Sequence, residues 1–272
     1  MSIIQWFPGH MAKAIRELKT KKNEIDILIE ILDARIPLAS RNPVIQEIFE
    51  SKPRLIILTK SDLADAKITK SWIDRFTKED QLAFAIDELN GHHGRKISSL
   101  CKKLFPEKKV IKGLIVGIPN VGKSTLINNL LGKNKVKTGY HPGVTKKQDW
   151  ISLEKGLRVC DTPGILWPKF EDPKVGQLLA VTHAIKDERF DFTNIIYFLF
   201  EYLQEHYPHY VEKRFKLDDI GQLDLEEMLV EIGRKRGCII SGGEIDDERL
   251  FNLLMHEFRR GLIGHISLEK PE

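Results

Sequence analysis

The chain has 272 residues, 42% hydrophobic and 30% charged, which excludes a disordered or fibrous protein and allows one sizeable core with a smaller second one. Its 43 basic residues against 39 acidic ones give a net charge of +4, a mild excess that permits nucleic-acid contact without requiring it. Cys101, Cys160 and Cys238 form no CxxC pair, which argues against a disulfide framework or zinc knuckle. No apolar run reaches the roughly 20 residues of a membrane span, and residues 1–7 lack a leader pattern, so the expected compartment is cytoplasmic with no membrane partner.

In chain order, the hydrophobic pattern predicts a helix over 11–23, a strand over 26–32, and a helix over 43–49 with Pro43 in its first turn. A strand over 54–59, a helix over 66–76, a strand over 81–86 and a helix over 95–105 follow. Next come a strand over 113–116, a helix over 122–131, and strands over 148–153 and 157–160. This alternation predicts an α/β fold, a mostly parallel sheet with helices on both faces. Beyond Trp167, Pro168 and Pro173 punctuate a connector, and helices are predicted over 175–187, 192–206, 225–236 and 247–262. Asp224 with Glu227 reads as a capping box. The expected division is a nucleotide-binding domain over 1–170 and a small all-α domain over 171–272.

Gly117-Ile118-Pro119-Asn120-Val121-Gly122-Lys123-Ser124 satisfies GxxxxGK[ST] between an apolar strand and a helical pattern, the context a phosphate-binding loop needs. Its backbone N–H groups, from Asn120 through Thr125, would surround the phosphates at a helix N-terminus. Lys123 would reach the β- and γ-phosphates, and Ser124 would ligate Mg²⁺. Downstream, Asp161-Thr162-Pro163-Gly164 follows a strand, so Asp161 can hold Mg²⁺ and the Gly164 N–H can meet the γ-phosphate. Between them, Pro142-Gly143-Val144-Thr145 places Thr145 to close over Mg²⁺ and γ-phosphate. The order is that of a GTPase with two switches.

Guanine recognition needs a carboxylate facing the base N1 and N2 donors. Thr59-Lys60-Ser61-Asp62 follows a strand and supplies Asp62, while Asp87 and Glu88 follow the next strand where a second base loop is expected. Both loops precede the phosphate loop, which makes the order a circular permutation of the ordinary GTPase, tolerable where termini lie close.

That order, with Trp6-Phe7-Pro8-Gly9-His10-Met11, Asp33-Ala34-Arg35-Ile36-Pro37, GIPNVGKST, PGVT and DTPGILWPKF, resembles the bacterial ribosome biogenesis GTPase A (YlqF-type) family over essentially the whole chain. The resemblance implies a GTPase of late large-subunit assembly, stimulated by the 50S or pre-50S particle and released on hydrolysis. It also implies a helical domain docking on rRNA among ribosomal proteins, and a monomer off the ribosome. Thr59 departs from the usual asparagine of the base loop, and Asp87 from the usual residues of the second loop.

Ile165 stands where Ras-like enzymes carry a water-orienting glutamine and cannot hydrogen-bond through its side chain. The resemblance points to His10 as the water-positioning group, beside Lys123 and Thr145, and to Asn120 as a candidate K⁺ ligand. Lys133, Lys135, Lys137, Arg234, Lys235, Arg259 and Arg260 are candidate RNA-phosphate partners. A slow GTP-gated rRNA-binding module and a P-loop ATPase or kinase stay open as alternatives to the ribosome-activated GTPase.

Overall fold

A computed structural model describes residues 9–87, 93–131 and 150–272. Helix α1 (Gly9–Lys21) leads into strand β1 (Ile27–Asp33), then α2 (Pro43–Ile48), β2 (Arg54–Thr59), α3 (Ala66–Lys78), β3 (Leu82–Ala85), α4 (Gly94–Leu104), β4 (Ile111–Gly117) and α5 (Lys123–Leu131). Strands β5 (Trp150–Ser152) and β6 (Leu157–Asp161) complete one six-stranded sheet of order β3-β2-β1-β4-β6-β5. Five strands run parallel, and β5 pairs antiparallel with β6 at the edge.

All seven β1 residues are buried, as a central strand covered on both faces requires. Strand β2 alternates between two cores. Leu55 and Ile57 join the larger one with Ile45 and Phe49 near α2, while Ile56 and Leu58 pack under Trp72 and Phe76 of α3. Helix α1 contributes Met11, Ala14 and Leu18, an i, i+3, i+7 stripe, to the larger core. Cys101, Cys160 and Cys238 are buried and unpaired.

The rest is helical: α6 (Pro173–Val181), α7 (Phe192–His206), α8 (Pro208–Phe215), α9 (Leu225–Lys235) and α10 (Asp247–Arg259). The helix expected over 175–187 stops at Val181, where the Thr182 hydroxyl donates to Leu178 O at 2.9 Å and His183 takes φ 67°. Helix α8 was not predicted. It begins at Pro208, straight after the C-cap of α7, and ends on left-handed Lys216. The Asp224–Glu227 capping box forms at the start of α9, and Gly237 at φ 66° ends that helix.

Buried residues of the sheet, α6, α7 and α10 form one continuous cluster, into which Ile263, Ile266 and Leu268 pack after α10. Gly261 at φ 68° turns the chain there, so the helix expected to 262 ends at Arg259 and the tail runs back across the loops after β1 and β2. Among the described residues no helix is long and apolar enough to cross a membrane.

Candidate nucleotide site

The carboxyl ends of β2, β1, β4 and β6 lie side by side, Asp33 facing Thr59, Ile31 facing Gly117, and Ile115 facing Asp161 across the ladders. Strand order reverses between β1 and β4, the place where open α/β sheets leave a crevice for ligands. The phosphate loop leaves β4 there. A Cβ on Gly117 would come within 2.9 Å of both Ile31 O and Val121 Cγ1, so only glycine fits. Asn120 at φ 56° and Gly122 at φ 95° curl the loop, and buried Val121 roots it before Lys123, Ser124 and Thr125 open α5.

The Lys123 ammonium donates to Asp161 Oδ1 at 2.9 Å and to the Thr162 carbonyl. The phosphate-loop lysine and the aspartate ending β6 are therefore neighbours. Asp161 and Ser124, a hard carboxylate and a hydroxyl on adjoining elements, are the donor types Mg²⁺ takes. The Thr162 hydroxyl donates to Ile115 O at 2.8 Å and fixes the start of the second switch on β4.

Gly164 lies hard against the phosphate loop: a Cβ there would be 2.8 Å from Pro119 Cα and 2.9 Å from Pro119 N. The Ile165 N–H donates to Gly117 O at 3.3 Å, and its fully buried side chain joins the core. Asn42, the N-cap of α2, spends its Oδ1 on the Val44 and Ile45 amides and donates from Nδ2 to Ile165 O at 2.9 Å. Trp167 packs edge-on against Phe170, so the second switch runs into the core and on to α6.

The base loop meets the phosphate loop at two points. The Thr59 hydroxyl lies 2.5 Å from Val121 O and 3.0 Å from Leu32 O, placed to donate to either. The brace that the missing asparagine amide would have made is thus made by a hydroxyl. Lys60, at φ 55°, donates to Asn120 O at 2.6 Å and to Asp33 Oδ2 at 3.1 Å. The Ser61 N–H donates to Ile86 O at 3.3 Å, which ties the base loop to the end of β3. Asp62 Oδ1 is buried without a hydrogen-bond donor from the protein, an acceptor of the kind a guanine edge satisfies.

Asp87 ends the neighbouring segment, its carbonyl 3.3 Å from His93 Nε2. Glu88 and Thr145 lie outside the described residues, as does the side chain of His10, whose backbone belongs to the first turn of α1. Asn120, besides accepting Lys60, donates from Nδ2 to His183 O at 2.7 Å, a bond from the phosphate loop to the end of α6.

Three residues here were not singled out for a role by the site reading: Asp33, Arg35 and Asn42. Burial works against the charge of Asp33, but the Arg35 guanidinium and then Lys60 outweigh it and hold the carboxyl well below the usual range. Arg35 donates to Asp33 from Nε at 2.9 Å and Nη2 at 2.7 Å, both side chains buried. The available signals were Asp33 at a strand end and Asn42 before Pro43.

Of the candidate RNA contacts, Lys133, Lys135 and Lys137 lie outside the described residues. Arg259 is committed inside the fold, bonding Ala180 O, Val181 O and both oxygens of Asp187. Lys235 donates to Lys216 O.

A family profile described as 50S ribosome-binding GTPase matches residues 112–235, and one described as RsgA GTPase matches residues 38–171. A Bacillus cereus protein named ribosome biogenesis GTPase A is 46% identical, the match covering 99% of this chain and 95% of that protein. A Thermotoga maritima protein of the same name is 34% identical over 99% of this chain and 95% of its own. Among solved structures, GNP-bound YlqF from T. maritima superimposes with TM-score 0.67 at 28% identity, covering 96% of this chain and 99% of its own. A GDP-bound YlqF structure gives 0.71 at 28% identity, covering 94% and 99%.

Proposed function

The chain belongs to the ribosome biogenesis GTPase A family, a circularly permuted group of GTP-hydrolysing enzymes with a GTP-binding role in ribosome biogenesis, and from that premise we propose how its residues divide the work. One observation carries the reading. Thr59 and Lys60 of the base loop bond the backbone of Val121 and Asn120, so loops that reversed chain order sets apart form a single site.

Asp62 accepts the guanine N1 and N2 donors, with Thr59, Lys60, Ser61, Asp87 and Glu88 around the base. The amides from Asn120 to Thr125 surround the phosphates, Lys123 reaches the β- and γ-oxygens, and Gly164 N–H meets the γ-phosphate. Ser124, Thr145 and Asp161 hold Mg²⁺, which when bound neutralises charge developing between the β- and γ-phosphates. With Nδ2 of Asn120 donating to His183, its Oδ1 remains an acceptor for K⁺. Ile165 is buried and apolar and cannot orient the attacking water, and the family resemblance gives that role to His10.

Residues 1–170 carry this chemistry and residues 171–272 dock on rRNA and ribosomal proteins of the large subunit, the chain being a cytoplasmic monomer off the ribosome. Hydrolysis is stimulated by the 50S or pre-50S particle and licenses release. The test is GTP turnover in K⁺ buffer, with and without isolated large subunits, with Lys123→Ala as the blank. Strong stimulation is expected. Tight GTP binding with no stimulation would favour the slow GTP-gated module, for which Ile165 already speaks.

Replacing Asp62 by asparagine tests the base assignment separately. Xanthine carries a carbonyl where guanine carries its amino group, so Asp62→Asn should move preference from GDP to xanthosine diphosphate.

A further inference from the structure

The base loop is held from outside the nucleotide site by a segment some 200 residues downstream. Ile266 N–H donates to Leu63 O at 3.0 Å, and Asp65 N–H donates to Ser267 Oγ at 3.1 Å. Leu268 N–H donates to Arg35 O at 2.9 Å, and Trp72 Nε1 donates to Glu269 O at 3.2 Å. The Glu269 carboxylate accepts the Leu38 and Ala39 amides at 2.7 and 3.0 Å. Leu63 and Asp65 follow directly on Asp62, so the tail grips the base loop just after its carboxylate.

A second line of contacts reaches the same loop. Phe258 of α10 lies under the Arg35 guanidinium at 5.5 Å, Arg35 pairs with Asp33, Asp33 accepts Lys60, and Lys60 donates to Asn120 O. The tail itself is pinned to the helices. Ser267 is fully buried, and its carbonyl accepts the Tyr202 and Tyr207 hydroxyls at 3.0 and 3.2 Å. Both lines connect α7 and α10, in the helical region, to the residues on either side of Asp62.

We propose that Ser267 and Arg35 are positioning residues for guanine recognition: residues 266–269 hold the loop 59–65 in register, so that selectivity for the base depends on how the helical region is seated. This rests on the reading of Asp62 as the base acceptor. Backbone–backbone and buried side-chain bonds of this kind have few alternative arrangements, which suits a part that must hold a carboxylate in register.

The ratio of GDP to IDP affinity measures that register, because IDP lacks only the exocyclic amino group that pairs with the carboxylate. In the wild-type chain GDP should bind at least about tenfold tighter. Ser267→Ala removes the acceptor of the Asp65 amide, and Arg35→Lys removes the bidentate grip on Asp33. Both should lower the GDP/IDP preference about threefold or more, IDP losing less than GDP because only its N1 donor faces the carboxylate. A merely structural role would weaken both nucleotides together and leave the ratio unchanged, which would overturn the proposal.

If Asp62→Asn leaves preference on GDP, the base assignment itself fails. If it shifts preference to xanthosine diphosphate while the two brace variants keep the wild-type ratio, only the brace fails. Should both brace variants fail to fold, amide exchange on the wild-type chain decides. Asp65 N–H should exchange in step with Ile266 and Leu268 N–H, and independent exchange overturns the brace.

Discussion

Gly164→Ala adds one methyl group where the second switch crosses the phosphate loop. The new Cβ would sit 2.8 Å from Pro119 Cα, 2.9 Å from Pro119 N and 3.2 Å from Ile118 C. All three are backbone atoms, so no side chain can rotate away, and the segments must part by about 0.7 Å to reach ordinary carbon contact. Gly164 lies outside the left-handed region, so the effect is steric and not conformational. Neither segment is free to yield: Ile165 N–H is bonded to Gly117 O, and Asn42 holds Ile165 O. Overpacking of this kind costs about 1–3 kcal/mol of stability. The larger effect falls on GTP. If the Gly164 N–H meets the γ-phosphate, displacing it loses a hydrogen bond to a charged group, about 1.5–3 kcal/mol, or roughly 10- to 150-fold in affinity for GTP but not GDP. Titration of fluorescent GDP and a non-hydrolysable GTP analogue, with denaturant unfolding alongside, reads both quantities. An unchanged GTP/GDP ratio with stability within about 0.5 kcal/mol of wild type would refute the reasoning.

Asn42→Ala removes a helix cap and the bond to Ile165 O, and should cost about 1–3 kcal/mol in urea unfolding. Asn42→Asp keeps the cap but turns a buried carboxylate oxygen toward Ile165 O, so it should also lose at least about 1 kcal/mol, and wild-type stability would deny that bond its weight. Thr59→Val preserves shape and deletes the hydroxyl between Leu32 O and Val121 O; about 1 kcal/mol of stability and a several-fold loss of GDP affinity are expected, and undiminished affinity would deny it a bracing role. Burial pushes the Glu269 carboxyl up to about 7 against the pull of the Leu38 and Ala39 amides. A raised folded-state pKa means its contribution is complete below about 4.5 and is lost as pH rises through 7, a decline on the order of 1–3 kcal/mol. Glu269→Gln should abolish that decline, so the difference between the wild-type and variant stability curves should slope between about pH 4.5 and 7, and parallel curves would contradict it.

The sheet and its phosphate loop were legible because short-range patterns encode them. Strand β2 was predicted at its observed bounds, and the glycines at 117, 122 and 164 mark places where the backbone comes too close for a side chain or takes a left-handed turn. The antiparallel pairing of β5 was not legible, since three residues of an edge strand carry no directional signal. Helix α8 was missed because Pro208 follows directly on α7 and reads as a stop, although proline also suits a first turn. The early end of α6 rests on Thr182 and His183, whose conformations local sequence does not dictate. Of the site, Lys123, Asp161, Gly164 and the 59–62 loop come together, while Arg35 and Ser267 could not be found from spacing. Their partners lie across the fold, and nothing in a run such as His265-Ile266-Ser267-Leu268 announces a hydrogen bond to a loop near residue 65.

The distance along the chain between that tail and its partners has a consequence for synthesis. Ser267 meets Asp65 across 202 positions and Glu269 meets Leu38 across 231. At roughly 5–20 residues per second, the tail emerges about 10–40 s after the loop it closes upon. Throughout that interval the growing polypeptide has its base loop exposed without its clasp, and for roughly the first third of it lacks the phosphate loop as well. The contacts that close the fold over residues 35–65 are thus the last to be made, and a chain that stops before residue 266 lacks every one of them.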